Sequence, residues 1–547
     1  MAKLKDIVLK HALLNAVEFG RAEAGPVIGK VIAEYPESKK DIAKLKKEIA
    51  SAIEKVNKMS KEKREKELKK FGKIKKPEKK EREGLPELPG ARKGKVVLRF
   101  APEPNGYLHI GHLKSALLNY LYAKMYKGKL ILRWDDTNPK REKKEYYDAI
   151  RQDLKTFGVK YDKEAFESDN MELFYKHAEE LLKKGNMYVC DCPQEAISSF
   201  REQGKACPCR ERKVKENMEL WKKMLKKGKE DEMMVKLKTD PADPNPALRE
   251  PSMLRVVETP HPLKGKKYRV YPLYNFACTI MDHDLKITHV LRDKGFENDA
   301  RIQGILYSLF GWPVPVIIHF GRLKEVAGIP MSKRKIRLLI EEGRLSGWDD
   351  LRIPNPRNLL KRGFMPDAIR RMVEEVGPSK HDITITMDMI ETYNRQLIDK
   401  KSNRYFFVGE PVELKLDRLV MKSVRAPIYP GKRKYRKIPT SKKIFIDKMD
   451  YVANREKEVR LMHFCNIRID RKTKVTGKAN KDIPKIHWVP SRNIKVKLIM
   501  PDGRLLNGLA EPEIRKVKIN DTLQFERVGF VRVDKVKPEI VCYYAHR

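Results

Sequence analysis

Apolar residues recur along this chain in distinct rhythms. The first is helical. Leu45, Ile49, Ile53 and Val56 follow Ile42 at spacings of three and four, which lines one face of a helix. Ser38 with Asp41 reads as the capping box of that helix. Residues 1–58 are predicted to be helical on this pattern. Residues 59–83 are nearly all Lys and Glu, which predicts either a solvated spacer or a direct RNA contact. "GLPELPG" (84–90) closes the stretch as a hinge.

From Lys95 short apolar runs alternate with helical ones. "KVVLRF" (95–100) is a short buried strand, and 108–126 is a helix with Leu113, Leu117, Tyr120 and Leu121 as its apolar positions. "GKLILRWDD" (128–136) is a second strand and 145–157 a second helix. Similar alternation returns at 287–292, 301–312 and 314–320. Strand, helix, strand, helix predicts a parallel α/β sheet. After about residue 395 the runs become short and alternating, as in "IKVKLIMPDGRLLNGLA", with turn signals such as Pro501-Asp502-Gly503. That texture predicts all-β barrels.

Composition adds a partner to this picture. A chain of 547 residues holds about three to five domains. Lys and Arg number 119 against 75 Asp and Glu, a formal charge of +44. Such an excess calls for a polyanion, and nucleic acid is the leading one. A Lys/Glu-rich chain from a heat-loving organism would explain many charges of both signs, but not the imbalance. No apolar run reaches the ~18 residues of a membrane span. The amphipathic N-terminus does not read as a signal peptide. Seven cysteines in so long a chain suggest no disulfide framework, and the expected compartment is the cytoplasm.

Candidate chemistry concentrates in "PEPNGYLHIGHLKS" (102–115). His109 and His112 follow a turn and open a helix just past a predicted strand end. In a parallel sheet, ligands bind at that edge. Backbone N–H groups and the helix dipole favour a phosphate there, and side chains three apart share one helix face. Gly111 between them lets a nucleotide approach the backbone. A second basic motif, "PMSKRKIR" (330–337), reads as a mobile loop whose Lys333 closes over ATP phosphates. One such contact in a dry site is typically worth ~3–4 kcal/mol. Cys190, Cys192, Cys207 and Cys209 form a C-x-C…C-x-C pattern. Four thiolates on two knuckles close a tetrahedral structural zinc site. Cys278, Cys465 and Cys542 read as core cysteines.

"HIGH" and "MSKRK" together resemble the two signatures of class I aminoacyl-tRNA synthetases. "LRFAPEPNGYLHIGH", "LRWDDTNP", the run 347–370 and "DKKSNRYFFV" (399–408) are similar to the glutamyl/glutaminyl branch. The helical extension and β-type C-terminal half resemble its archaeal and eukaryotic form. The resemblance implies a multidomain α/β + β architecture. It places a helical N-terminal extension and linker at 1–90 and the two halves of a Rossmann-like catalytic domain at 91–187 and 261–340. An acceptor-end-binding insertion with a four-cysteine zinc site falls at 188–260, a helical connecting domain at 341–400, and β-barrel anticodon-binding domains at 401–547. It implies glutamyl adenylate formation from ATP with Mg2+, then transfer to tRNA(Glu), with tRNA(Gln) as a candidate second acceptor.

The same resemblance assigns site residues. His109, His112 and Lys333 are catalytic. His109, Gly111, His112, Arg322, Leu323, Ser332, Lys333 and Lys335 bind ATP. Arg99, Glu103, Asp135, Tyr274 and Arg292 bind the amino acid, with Asp135 meeting the ammonium. Arg292 discriminates, because glutaminyl enzymes have an uncharged residue there and a side-chain carboxylate calls for a bidentate cation. A neutral amide would leave that cation unpaired, at a cost of about 2–5 kcal/mol. Glutamate is therefore the expected substrate and glutamine the alternative. A non-catalytic tRNA-binding relative is the competing reading of another class. Such proteins usually lose His109, His112 or Lys333, and all three are present.

Overall fold

The computed structural model describes residues 2–71, 84–326, 329–330, 333–353, 355–429, 431 and 433–547. They fall into two compact units, Met1–Glu83 and Gly84–Arg547. Among the described residues no helix is long and apolar enough to cross a membrane.

The first unit is helical: α1 (Ala2–Phe19), α2 (Ala24–Glu34), α3 (Ile42–Asn57) and α4 (Lys61–Lys69). Leu45, Ile49 and Val56 of α3 pack with Val8, Leu13, Val27 and Val31 in one core. Ile42, by contrast, is 53% exposed. The expected capping box does not form. Pro36 opens a 3-10 turn over Pro36–Asp41, in which the Ser38 hydroxyl donates to the Tyr35 carbonyl at 2.7 Å. Asp41 itself caps α3, accepting the Lys44 N–H at 2.9 Å. Part of the Lys/Glu-rich stretch is helix α4, anchored where Arg64 donates to the carbonyls of Val56, Asn57 and Gly20. Its remainder, 72–83, lies outside the described residues.

The second unit is built on a parallel sheet. Its first half runs β1 (Val97–Phe100), α5 (Ile110–Met125), β2 (Lys129–Trp134), α6 (Lys144–Thr156) and β3 (Lys163–Phe166). β1 pairs β2 with Phe100 opposite Leu132, and β2 pairs β3 with Trp134 opposite Phe166. The strands are short and apolar because α5 covers them. Leu98, Leu130, Leu132 and Trp134 share one core with Leu113, Leu117 and Leu118. β2 ends before the predicted residue 136. Asp136 turns inward instead, and its carboxylate accepts from the Ser168 N–H and hydroxyl and from the Tyr147 hydroxyl.

α7 (Met171–Lys183) leads to an antiparallel insertion, β4 (Met187–Cys190), α8 (Gln194–Gln203), α9 (Val214–Lys227), β5 (Met234–Leu237), β6 (Ser252–Val256) and β7 (Val270–Pro272). α10 (Tyr274–Asp284), β8 (His289–Asp293), α11 (Glu297–Phe310) and β9 (Val316–Phe320) then complete the parallel layer. The Thr288 N–H donates to the Val97 carbonyl at 3.0 Å, so β8 runs beside β1. The chain therefore moves outward from β1 to β3 and returns on the other side of β1. That reversal is the switch point at which open α/β sheets bind ligands.

β10 (Leu323–Val326) and β11 (Ile329–Pro330) follow, then the helices α12 (Lys333–Glu341), α13 (Pro356–Arg362), α14 (Pro366–Val376) and α15 (Met387–Ile398). The rest is mostly β structure, with a short α-helix at Lys448–Ala453. Asn403–Tyr405 pairs with Thr522–Phe525 at one edge of a seven-stranded sheet, and Phe407–Val408 pairs with Leu505–Ala510 at the other. Only Phe406 separates these two edge segments, so the sheet curls on itself like a barrel. A second β unit, from Pro411 to Pro490, is inserted between its strands. Tyr405 and Phe407 enter the barrel core, whereas Phe406 enters the core of the inserted unit.

A buried ion pair holds this seam. Arg436 Nε donates to Glu511 Oε1 at 2.7 Å, and Glu511 Oε2 accepts the Phe406 N–H at 2.8 Å. Burial pushes the Glu511 carboxyl up to about 7 against the opposing pull of Arg436. Arg436→Met leaves that carboxyl without its counter-charge, at a cost of ~3–5 kcal/mol. Calorimetry should show the β half melting at least about 5 °C lower. A midpoint within about 1 °C of the parent would contradict the seam's dependence on this pair.

Candidate active site

The carboxyl ends of β1, β2, β3, β8 and β9 open on one cleft of about 1300 Å³. At its rim, His109 is the N-cap of α5, with extended backbone (φ −109°, ψ 171°). Its Nδ1 accepts the N–H groups of Gly111 (3.1 Å) and His112 (3.3 Å), while His112 Nδ1 accepts the His109 N–H at 3.4 Å. The two imidazoles form a reciprocal capping box and stack with centroids 3.6 Å apart. An Nδ1 that accepts carries no proton, so Nε2 is the N–H donor of each ring. This corrects the expectation that the first-turn amides are open to a phosphate: the His109 ring already takes two of them. Gly111 has a different reason as well. A Cβ there would lie 2.9 Å from His109 Cε1, so the glycine makes room for the ring.

Deeper in the cleft, guanidinium and carboxylate groups converge. Arg99 from β1 and Arg133 from β2 both donate to Asp282 Oδ1 of α10, at 3.1 and 2.6 Å. Burial alone would raise the Asp282 carboxyl, but Arg99 and Arg133 outweigh it and hold it below its ordinary value. Arg133 also grips Asp135 at two points, Nε to Oδ1 at 2.7 Å and Nη2 to Oδ2 at 3.1 Å. Asp135 thus lines the cleft as expected, with both oxygens already held by an arginine. Glu167 follows β3 and is 1% exposed. Burial, then neighbouring Asp135, holds its carboxyl well above the ordinary glutamate value.

Arg292 ends β8 and is 4% exposed. It donates to the Tyr274 hydroxyl at 3.1 Å and to Gln303 Oε1 of α11 at 2.9 Å, and its guanidinium lies over the Phe296 ring. Burial pushes the Tyr274 hydroxyl up, so it stays protonated. Among the described residues no carboxylate forms an ion pair with Arg292. Glu103 lines the same cleft and accepts from Asn138 at 3.4 Å. Arg322 and Leu323 border it on the β9 side, with Arg322 Nε 3.0 Å from Asp293 Oδ1.

The basic motif differs from its expected form. Lys333 begins helix α12 in place of a loop, and Lys335 is exposed on that helix. Ser332 and the Lys333 side chain lie outside the described residues. Several residues in or behind the cleft wall have no sequence signature. Arg133, Asp282 and Gln303 read as a strand residue and two helix residues. Lys114, buried, donates to the Gly321 carbonyl at 3.1 Å. Burial lowers its ammonium to about 8.

Away from the cleft, Cys190, Cys192, Cys207 and Cys209 come together at the end of β4, all four Sγ atoms within 4.8 Å of one another. The Cys190–Cys207, Cys192–Cys207 and Cys192–Cys209 sulfurs lie 3.5, 3.6 and 3.5 Å apart, and none forms a disulfide. A tetrahedron with Zn–S bonds of ~2.3 Å has edges of about 3.8 Å. The donor set therefore fits that ion.

Residues 95–400 match the catalytic domain of the class I tRNA synthetases (E and Q). Residues 402–488 and 485–534 match two anti-codon binding domains of the same group. The chain is 40% identical to a glutamate–tRNA ligase of Pyrococcus furiosus and 41% identical to one of Pyrococcus abyssi, covering 100% of each chain. It is 39% identical to the glutamate–tRNA ligase of Methanocaldococcus jannaschii, again over 100% of both. The chain therefore belongs to the class I tRNA synthetases of the E and Q group.

Proposed function

We propose that this chain ligates L-glutamate to the 3′ end of tRNA(Glu) at the expense of ATP. The carrying observation is Arg292, a buried guanidinium in the cleft with hydroxyl, amide and aromatic neighbours but no carboxylate among the described residues. A side-chain carboxylate supplies the missing charge. An uncharged glutamine side chain does not.

The roles follow from position. Arg99 and Tyr274 wall the amino acid, Arg292 takes its γ-carboxylate and Asp135 its ammonium. The α-carboxylate attacks the α-phosphorus of ATP, giving glutamyl adenylate and pyrophosphate. The 3′-terminal adenosine then takes the glutamyl group and AMP leaves. His109 and His112 turn their Nε2–H donors toward the phosphates, Arg322 and Leu323 flank the adenine, and Lys333 with Ser332 and Lys335 neutralises the leaving pyrophosphate. Magnesium accompanies ATP in such chemistry. The four cysteines hold a structural zinc that orders the insertion receiving the acceptor end. The β units read the anticodon, and the +44 charge meets the tRNA backbone. The reaction belongs in the cytoplasm.

Aminoacylation of tRNA by wild type and Arg292→Cys tests the substrate. Glutamate kcat/KM should fall by ~2–5 kcal/mol, roughly 30- to several-thousand-fold, while glutamine use falls far less. A glutamate loss less than about tenfold relative to glutamine would remove the main support for glutamate.

The metal has its own test. Protein purified without chelators should contain about one zinc per chain, absent in Cys207→Ser. Elemental analysis finding no zinc in the parent would refute the site.

A further inference from the structure

We propose that the Glu167 carboxylate is a second anchor, beside Asp135, for the α-ammonium of the amino acid substrate. The inference rests on the glutamate reading above and adds a binding residue to it.

Glu167 leaves the sheet next to Asp135. Trp134 of β2 stands opposite Phe166 of β3, so the residue after each emerges side by side at the carboxyl edge. Both line the cleft. Glu167 is 1% exposed, and among the described residues its Oε1 has no hydrogen-bond partner. The nearest cation does not serve it. Arg133 Nε lies 3.6 Å from that oxygen and donates instead to Asp135, while Nη1 donates to Asp282. A buried carboxylate oxygen without a donor is expensive, so some group that visits the cleft is expected to complete it.

The chemistry of that group is set by what else the cleft leaves incomplete. Arg99 and Arg133 are matched by Asp282 and Asp135. Arg292 then stands as a cation without a carboxylate among the described residues, and Glu167 Oε1 as an acceptor without a donor. The two needs have opposite sign and open on one cleft. A zwitterion with an acidic side chain answers both, its γ-carboxylate on Arg292 and its ammonium on Glu167. An ammonium has three donors, so one can meet Glu167 Oε1 while another meets Asp135, whose oxygens each accept one Arg133 bond and keep a further lone pair. The raised Glu167 carboxyl agrees with this placement. Burial, then neighbouring Asp135, raises it, and a cation placed beside it would offset both.

Steady-state aminoacylation by wild type and the near-isosteric Glu167→Gln tests the assignment. The KM for glutamate should rise roughly 30-fold or more, with the KM for ATP within about threefold. Inhibition by glutarate, which keeps both carboxylates and lacks the ammonium, should change by less than about threefold. A glutamate KM within about threefold of wild type overturns the proposal, as does an equal weakening of glutamate and glutarate. The second result would mean that Glu167 only shapes the pocket. If Glu167→Gln does not fold, Glu167→Asp carries the same comparison: a selective rise in the glutamate KM supports the anchor and a parallel loss of glutarate refutes it. Wild type that charges glutamate alongside an unaltered Glu167→Gln sinks this inference alone. Wild type that does not charge glutamate sinks the functional reading and the anchor with it.

Discussion

Two guanidinium groups share one buried carboxylate, and the site is arranged around that sharing. Arg99 and Arg133 come from adjacent parallel strands, and Asp282 from the helix that Tyr274 begins. Two like charges on neighbouring strands repel unless an anion lies between them. In a dry interior that anion must be held at hydrogen-bond distance. Losing one partner from such a group costs about 3–5 kcal/mol, a sizeable part of a domain's whole stability. The contact therefore sets more than a charge balance. It fixes the height of α10 against the sheet, and so where Tyr274 meets Arg292. It also leaves the remaining Arg133 donors to aim Asp135 into the cleft.

The sheet and the arginines were legible in the sequence for a simple reason. Fully buried parallel strands are short and continuously apolar, and an arginine at the end of such a run is conspicuous. Arg99 and Arg292 stand out in "VLRF" and "HVLRD" on that ground. Glu167 does not. It sits in "FESDN", where a Glu before Ser-Asp reads as an exposed turn, and only the β2–β3 register brings it beside Asp135. Gln303 reads as a polar helix position, and its burial depends on how α11 lies over β8. The histidine pair lies at the cleft rim, but its hydrogen bonds could not be read from the spacing. Spacing puts two rings on one face, whereas which nitrogen carries the proton depends on the amides they cap. The N-terminal unit shows the same limit. A capping pattern at Ser38 was plain, but Pro36 diverts those residues into a tighter turn.

The two β units are joined by a change of direction at a single residue. Along Tyr405, Phe406 and Phe407 successive side chains point to opposite faces, as in any strand. Here the opposite faces belong to different cores, so one aromatic residue serves the inserted unit while its neighbours serve the barrel. The Phe406 amide and carbonyl are both paired with Glu511, so the backbone is matched at the crossing residue. Rigid coupling between the two units follows from the alternation of one strand.

That arrangement also sets an order of events on the ribosome. The segment Asn403–Val408 supplies both edges of the barrel, yet the strands it pairs with begin only at Leu505 and run to Phe525. The 80 residues of the inserted unit, Pro411–Pro490, are synthesised in between. At ~5–20 residues per second, those edge strands wait on the order of ten seconds with their ladders unpaired. The inserted unit can fold during that interval, since its strands pair among themselves. Its core already claims Phe406, so the nascent chain is pinned at the midpoint of the waiting segment. The barrel then closes around an edge held in register, and the exposure of two unpaired strands to other nascent chains is confined to the last stretch of synthesis.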